Sequence, residues 1–285
     1  MARVLALLFL WAFCAGDCLA AERVLTLSFG GEPHRMTAAE LLARPDVTDL
    51  NVPNDVSYNR KMTYRAVPLL GVLGAALDGD FNTIEARASD GYVSQIPSEL
   101  VKKGSEGGAV AWIAVEDPGK PWPNLPDRDV SAGPFYLIWE GAQRSAVGNE
   151  LWPFSVVSLS GVDDPVKRWP QLAVDRSLAD DAAERKGQIV FVKNCMTCHR
   201  IDGAGYGEMG PDLGRPMHAT EYITERGLKA LIRNPKAVRT WPQQQMEGFG
   251  EEAISNSELD ALVSYLAYMG RRKSGGVAFP SKPTP

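Results

Sequence analysis

The chain has 285 residues, 45% of them hydrophobic and 23% charged, and a net charge of −5. That balance excludes a disordered chain, and the length suits two domains of ordinary size. The acidic charge, with no long basic run before the tail, argues against nucleic acid as a partner.

The first residues, "MARVLALLFLWAFCAGDCLAAE", carry Arg3, an apolar run from Val4 to Phe13, and then small residues. The run is too short to span a bilayer as a helix. Residues 1–21 are expected to be a cleaved secretory signal, with an uncleaved anchor as the alternative. Asp17 precedes Cys18 where a lipoprotein signal wants a small residue. The expected mature chain therefore lies in the periplasm and has no transmembrane segment. Cys14 and Cys18 leave with the signal, so only Cys195 and Cys198 remain. Two thiols make no disulfide framework. They are bridged to each other or committed to something else.

Residues 22–162 alternate strands and short helices. "VLTLSF", "TIEARAS", "GAVAWIAVE", "PFYLIW" and "FSVVSLSGV" read as strands. "TAAELLAR" reads as a helix capped by Thr37 with Glu40 three residues on. "PLLGVLGAAL" reads as an apolar helix. The expected fold here is α+β with a mixed sheet. Residues 163–180 are polar, with Pro165 and Pro170, and read as a linker or strap. From residue 181 the pattern turns all-α, with helices expected over 181–194, 220–234 and 256–269. The last of these carries an apolar stripe of Leu259, Leu262, Val263 and Leu266, and Ser255 with Glu258 is suited to cap it. Residues 271–285 are rich in Gly, Pro and Lys and read as a flexible tail.

"NCMTCHR" places Cys195, Cys198 and His199 in a C-x-x-C-H pattern, the attachment signature of c-type haem. Residues three apart on a helical turn share a face. Both thiols can then add to the vinyl groups on one porphyrin edge, while His199 faces the iron. A structural zinc site would want four ligands, and beyond the cysteines there are only His34, His199 and His218. A redox dithiol would follow a strand, but here a helix precedes the pair.

The flanks resemble class I cytochrome c over residues 181–270. Gly187 and Phe191 stand eight and four residues before Cys195, where the family keeps a small residue and an aromatic. Leu262 and Tyr265 match its crossing residues on the last helix. The resemblance implies one covalent haem c, with Pro211 of "GPDLG" accepting a hydrogen bond from His199. It implies Met246 of "RTWPQQQMEGFG" as the second axial ligand, although Glu247 follows it where the family usually has proline. Met209, Met217 and His218 flank the "GPDLG" turn, Met196 lies between the cysteines and Met269 on the last helix. His218 or an open iron position is the alternative to Met246.

"TYRAVPLLGVLGAAL", "ASDGYVSQIPSEL", "VAWIAVEDPGKPWP" and "AGPFYLIWEG" occur in that order. Together they resemble the molybdopterin-binding domain of the sulfite oxidase family. That family holds molybdenum through a cysteine, and "VTDLNVPNDVSYNRKM", the matching segment, contains none. Asn54 and Asp55 fall near the position, and a carboxylate is a poor stand-in for a thiolate. A scaffold or docking domain without molybdenum is therefore expected. His34 reads as a surface or packing residue, and Trp112, Trp122, Trp139 and Trp152 as packing.

These readings point to an exported monohaem c-type cytochrome that passes single electrons between redox protein partners, with no catalytic residues of its own. The alternatives are a molybdopterin-dependent oxidoreductase with a fused haem acceptor, and a haem-based sensor.

Overall fold

The computed structural model describes residues 23–126, 128–242 and 244–274. The expected signal and the last eleven residues of the expected tail lie outside them. The chain forms an N-terminal sheet-rich region and a C-terminal helical region.

In chain order the N-terminal region holds β1 (Val24–Ser28), β2 (His34–Thr37), α1 (Ala38–Leu42), β3 (Thr48–Asp55) and β4 (Arg60–Pro68). Then come α2 (Leu69–Leu73), β5 (Thr83–Ala88), β6 (Val93–Pro97), α3 (Ser98–Lys102), β7 (Val110–Val115), β8 (Phe135–Glu140) and β9 (Val156–Val162). One sheet has the order β2-β1-β9-β5-β6, the other β3-β4-β7-β8. The first is mixed, because β9 runs parallel to β1 and antiparallel to β5. The second is antiparallel throughout. The apolar runs became the buried strands: Phe135 to Trp139 of β8 are all buried. β4 instead alternates, with Met62, Tyr64 and Ala66 inward. α1 begins with the capping box of Thr37 and Glu40. The expected helix in "PLLGVLGAAL" is interrupted. α2 stops at Gly74, whose φ of +49° suits glycine, and a tighter turn, Gly74–Asp78, continues the chain.

The helical region is preceded by a strap. In it α4 (Pro165–Arg168) is capped by Asp164, and Leu172 and Val174 are buried in the second hydrophobic core. Beyond it come α5 (Ala183–Val190), α6 (Ala219–Tyr222), α7 (Glu225–Arg233), α8 (Pro235–Val238) and α9 (Asn256–Ser274). Three helix boundaries differ from expectation. The helix expected over 181–194 changes to a wider π-type turn at Phe191–Cys195. The helix expected over 220–234 is two helices, because Ile223 is extended and Thr224 accepts from Gly227 N–H to start α7 afresh. α9 runs on through 271–274, the start of the expected tail. Its capping box is present: Ser255 N–H donates to Glu258 at 2.8 Å, and Glu258 N–H to Ser255 Oγ at 3.3 Å.

Two contacts organise the helices. A Cβ on Gly187 would lie 1.9 Å from the carbonyl oxygen of Ala261, so α5 crosses α9 backbone to backbone. Beside that crossing Phe191 packs on Tyr265, ring centroids 5.6 Å apart. The Tyr265 hydroxyl donates to the carbonyl of Leu172 at 2.9 Å, which ties the strap to the same place.

The two regions meet at a buried carboxylate. Glu85, on β5, pairs with Arg87 and with Arg168 of the strap, each at 2.6 Å. Arg87 lies 4.0 Å over the ring of Tyr206, and Trp169 packs edge-on against that ring at 5.1 Å. The loop carrying Tyr206 is thereby held to the N-terminal sheet.

Gly187→Ala is expected to destabilise the protein by about 3 kcal/mol through overpacking. Denaturant unfolding followed by circular dichroism checks this. Ile189→Ala, on the exposed side of α5, is expected to stay within about 0.5 kcal/mol of the parent.

Candidate functional site

The end of α5 leads directly into the C-x-x-C-H turn. Cys198 N–H donates to the Cys195 carbonyl at 3.1 Å, and His199 N–H to the same carbonyl at 2.8 Å. This closes a helical turn that brings Cys195, Cys198 and His199 together. Both cysteines are free and half-buried. Burial, then the neighbouring Cys198, pushes the Cys195 thiol up to about 12. Burial also raises Cys198, and the charges of Asp90 and Glu247 add to it against a lowering hydrogen bond from Thr197.

His199 is oriented by its other side. Its Nδ1 lies 2.8 Å from the carbonyl oxygen of Pro211. A carbonyl only accepts, so Nδ1 carries the proton and Nε2 the lone pair. Burial lowers the imidazole's pKa, partly offset by the Pro211 bond and the charge of Asp212. The ring is held neutral, which is the ligating form. Gly210 packs on the ring: a Cβ there would lie 2.3 Å from His199 Cε1. The loop keeps this shape because the Asp212 carboxylate accepts from Asp202 N–H at 2.9 Å, Gly203 N–H at 2.7 Å and Gly214 N–H at 2.8 Å.

Met246 lies between α8 and α9, partly buried against the same core as Cys195. Arg233, at the end of α7, pins the chain just beyond Met246. Its guanidinium donates to the carbonyls of Phe249 at 2.9 Å, Gly250 at 3.1 Å and Ile254 at 2.6 Å. Phe249 N–H donates back to Ile232 at 2.9 Å.

The competing sulfurs and histidines are dispersed. Met209 Sδ lies 3.9 Å from Cys198 Sγ, in contact with the pair. Met217 is exposed, whereas Met196 and Met269 are buried. His218 is fully buried and precedes α6. Among the described residues no three His, Cys, Asp or Glu side chains gather as a metal-binding group.

In the N-terminal region, Asn54 is exposed and Asp55 is buried. Asp55 accepts from Ser57 N–H at 2.9 Å, Tyr58 N–H at 2.8 Å, the Tyr64 hydroxyl at 2.8 Å and the Tyr136 hydroxyl at 3.3 Å. Its oxygens are committed to closing the turn between β3 and β4. His34 is exposed on β2. Trp139 and Trp152 are buried, and Trp112 and Trp122 pack on the same core. A cleft of about 600 Å³ opens beside Trp122, Arg128 and Phe154. The buried Glu116 in its wall accepts from Arg23 at 2.8 Å, Ser131 Oγ at 2.7 Å and Trp122 N–H at 2.9 Å.

The helical region and its attachment turn are similar to a known family. Residues 184–270 match the cytochrome c family model. No curated protein matches the chain. A cytochrome c domain implies covalently bound haem c and a role in haem electron transfer. The residues present fit that group: paired thiols on one turn, a neutral imidazole with Nε2 available, and a glycine where a side chain would displace the ring. No helix among the described residues is long and apolar enough to cross a membrane.

Sequence reasoning missed Asp212 and Arg233. Asp212 carries a local signal, since an aspartate two residues before Gly214 suits a side-chain-to-backbone turn. Arg233 carries none, because its acceptors lie 16 to 23 residues on. Arg233→Ala is expected to cost about 2 kcal/mol, the loss of charge-assisted hydrogen bonds to carbonyls. Thermal unfolding checks this, with Arg233→Lys expected to restore only part of the loss.

Proposed function

We propose that this protein is an exported single-electron carrier. One haem c is joined to Cys195 and Cys198, and its iron is held by His199 and Met246. The observation that carries the reading is the His199 Nδ1–Pro211 hydrogen bond, which puts the ring proton on Nδ1 and leaves Nε2 as the ligating atom beside two free thiols. Bound haem supplies a reversible one-electron couple at its iron.

The chain's residues do the rest. Cys195 and Cys198 anchor the group, and Pro211 keeps the His199 lone pair on Nε2. Asp212 holds Pro211 in place, and Arg233 braces the loop of Met246. With His199 and Met246 both holding the iron, small exogenous ligands would be excluded, and redox proteins are the proposed partners. The proposed divisions are a signal at 1–21, the sheet-rich domain at 22–162, a strap at 163–180, the cytochrome domain at 181–270 and a tail at 271–285. The proposed compartment is the periplasm.

The sheet-rich domain resembles a molybdopterin-binding domain and is proposed to serve as scaffold or docking surface. The absent cysteine supports this, as does Asp55, whose oxygens already accept four hydrogen bonds. The cleft beside Trp122 favours the second reading, an oxidoreductase with its own haem acceptor.

Metal and pterin analysis of protein from an exporting, haem-maturing host separates the two. Iron near one equivalent, with neither molybdenum nor pterin, is expected. Stoichiometric molybdenum or pterin would overturn the carrier reading. The oxidised protein is expected to show the weak red-edge absorption of a methionine–iron bond. Met246→Ala is expected to abolish it, and a retained band would point to another ligand such as Met209.

A further inference from the structure

The N-terminal region grips the attachment turn on both sides of Cys195. Val93 N–H, at the start of β6, donates to the carbonyl of Thr197 at 3.2 Å. The neighbouring Tyr92 hydroxyl donates to the carbonyl of Glu150 at 2.8 Å, and Ser94 Oγ donates to that same carbonyl at 2.9 Å. The Glu150 side chain then reaches Lys193 at 3.4 Å. Lys193 stands two residues before Cys195, and Thr197 immediately precedes Cys198.

Tyr92 immediately precedes Val93, whose N–H bonds the residue just before Cys198. Burial, and then the nearness of that sulfur, push the phenol's pKa far up. Asp90, two residues earlier, is also felt at Cys198. Arg87 of β5 and Trp169 of the strap hold the Tyr206 ring, and the neighbouring Gly207 packs on the backbone of Cys198. The sheet-rich region therefore covers the Cys198 side of the site.

Such cover acts on the charge of any haem joined there. The ferric form carries one more positive charge than the ferrous form. Excluding water from the edge destabilises the more charged form, and burial is one of the levers that set a haem's potential. We propose that Tyr92, held by the Glu150 carbonyl, is a positioning residue that seals the Cys198 edge of the haem against water and so raises its reduction potential. The inference rests on haem c attachment at Cys195 and Cys198. It makes the N-terminal region part of the haem environment as well as a docking surface.

The test is the midpoint potential of the haem-loaded full chain, measured by spectroelectrochemical titration, in which the iron takes one electron from the electrode through mediators. Tyr92→Ala is expected to shift the ferrous/ferric ratio about tenfold toward ferric, which is 59 mV for one electron. Tyr92→Phe keeps the ring and is expected to stay within twofold of the parent. Tyr92→Leu keeps an apolar body with less cover and is expected to shift the ratio at least threefold, about 28 mV. If the alanine variant does not accumulate with haem, the leucine variant decides. Potentials within twofold of the parent for the folded, haem-loaded alanine or leucine variant would overturn the inference. A parent protein lacking covalent haem by its alkaline pyridine spectrum would instead overturn the haem reading itself.

Discussion

The crossing of α5 over α9 is the constraint on which the rest of the helical region depends. Any side chain at position 187 would meet the Ala261 carbonyl, so only glycine allows the approach. That approach seats Phe191 on Tyr265, and Tyr265 in turn catches the strap at Leu172. The attachment turn begins where this packing ends. Its direction is set by two helix backbones and not by a loop. A second, independent support arrives from the other side. Asp212 gathers three backbone N–H groups and presents the Pro211 carbonyl to His199. The helix fixes where His199 begins, and the loop fixes how its ring is turned.

The seam between the two regions is electrostatic at its centre. Glu85 is nearly inaccessible and faces two guanidinium groups. The surplus positive charge rests on aromatic faces: Arg87 on Tyr206, and Arg168 4.2 Å from the ring of Trp169. A buried ion pair of this kind adds little net stability, because desolvation offsets much of its attraction. It is better at choosing among arrangements, since any other docking would take Arg168 away and leave Glu85 with Arg87 alone. The strap supplies one of those cations. A segment that is polar in composition is thereby part of the joint, and the loop bearing Tyr206 is held against the sheet.

What was legible in the sequence was local. Both capping boxes, Thr37 with Glu40 and Ser255 with Glu258, need only three residues of spacing, and both form. The β-branched and aromatic runs of β5, β7, β8 and β9 carry their own signal. The attachment motif spans five residues, and its partner Pro211 is brought back by the fold of one short loop. The hairpin of β3 and β4 was harder, because β3 is polar and mostly exposed, with Val52 and Asp55 its only buried residues. Asp55 is buried only because Tyr64 and Tyr136 come from other strands to meet it. The break at Ile223 depends on Thr224 capping a new helix within an otherwise helical pattern. Contacts such as Val93 with Thr197, about a hundred residues apart, leave no trace in composition or period.

The distribution of unused bonding capacity separates the two regions. In the sheet-rich region three buried carboxylates are consumed by the fold, and a fourth, Glu150, faces Lys193 at 3.4 Å. Asp55 accepts four hydrogen bonds, Glu116 is bound by Arg23, Ser131 and the Trp122 backbone, and Glu85 is held by two arginines. A site that must bind a metal or move a proton keeps such groups in reserve. The attachment turn does so: two thiols are free, and His199 has one ring nitrogen committed and the other not hydrogen-bonded among the described residues. The polar chemistry of the first region has gone into shape. That shape ends at Tyr92 and Val93, against the turn where the reactive groups are.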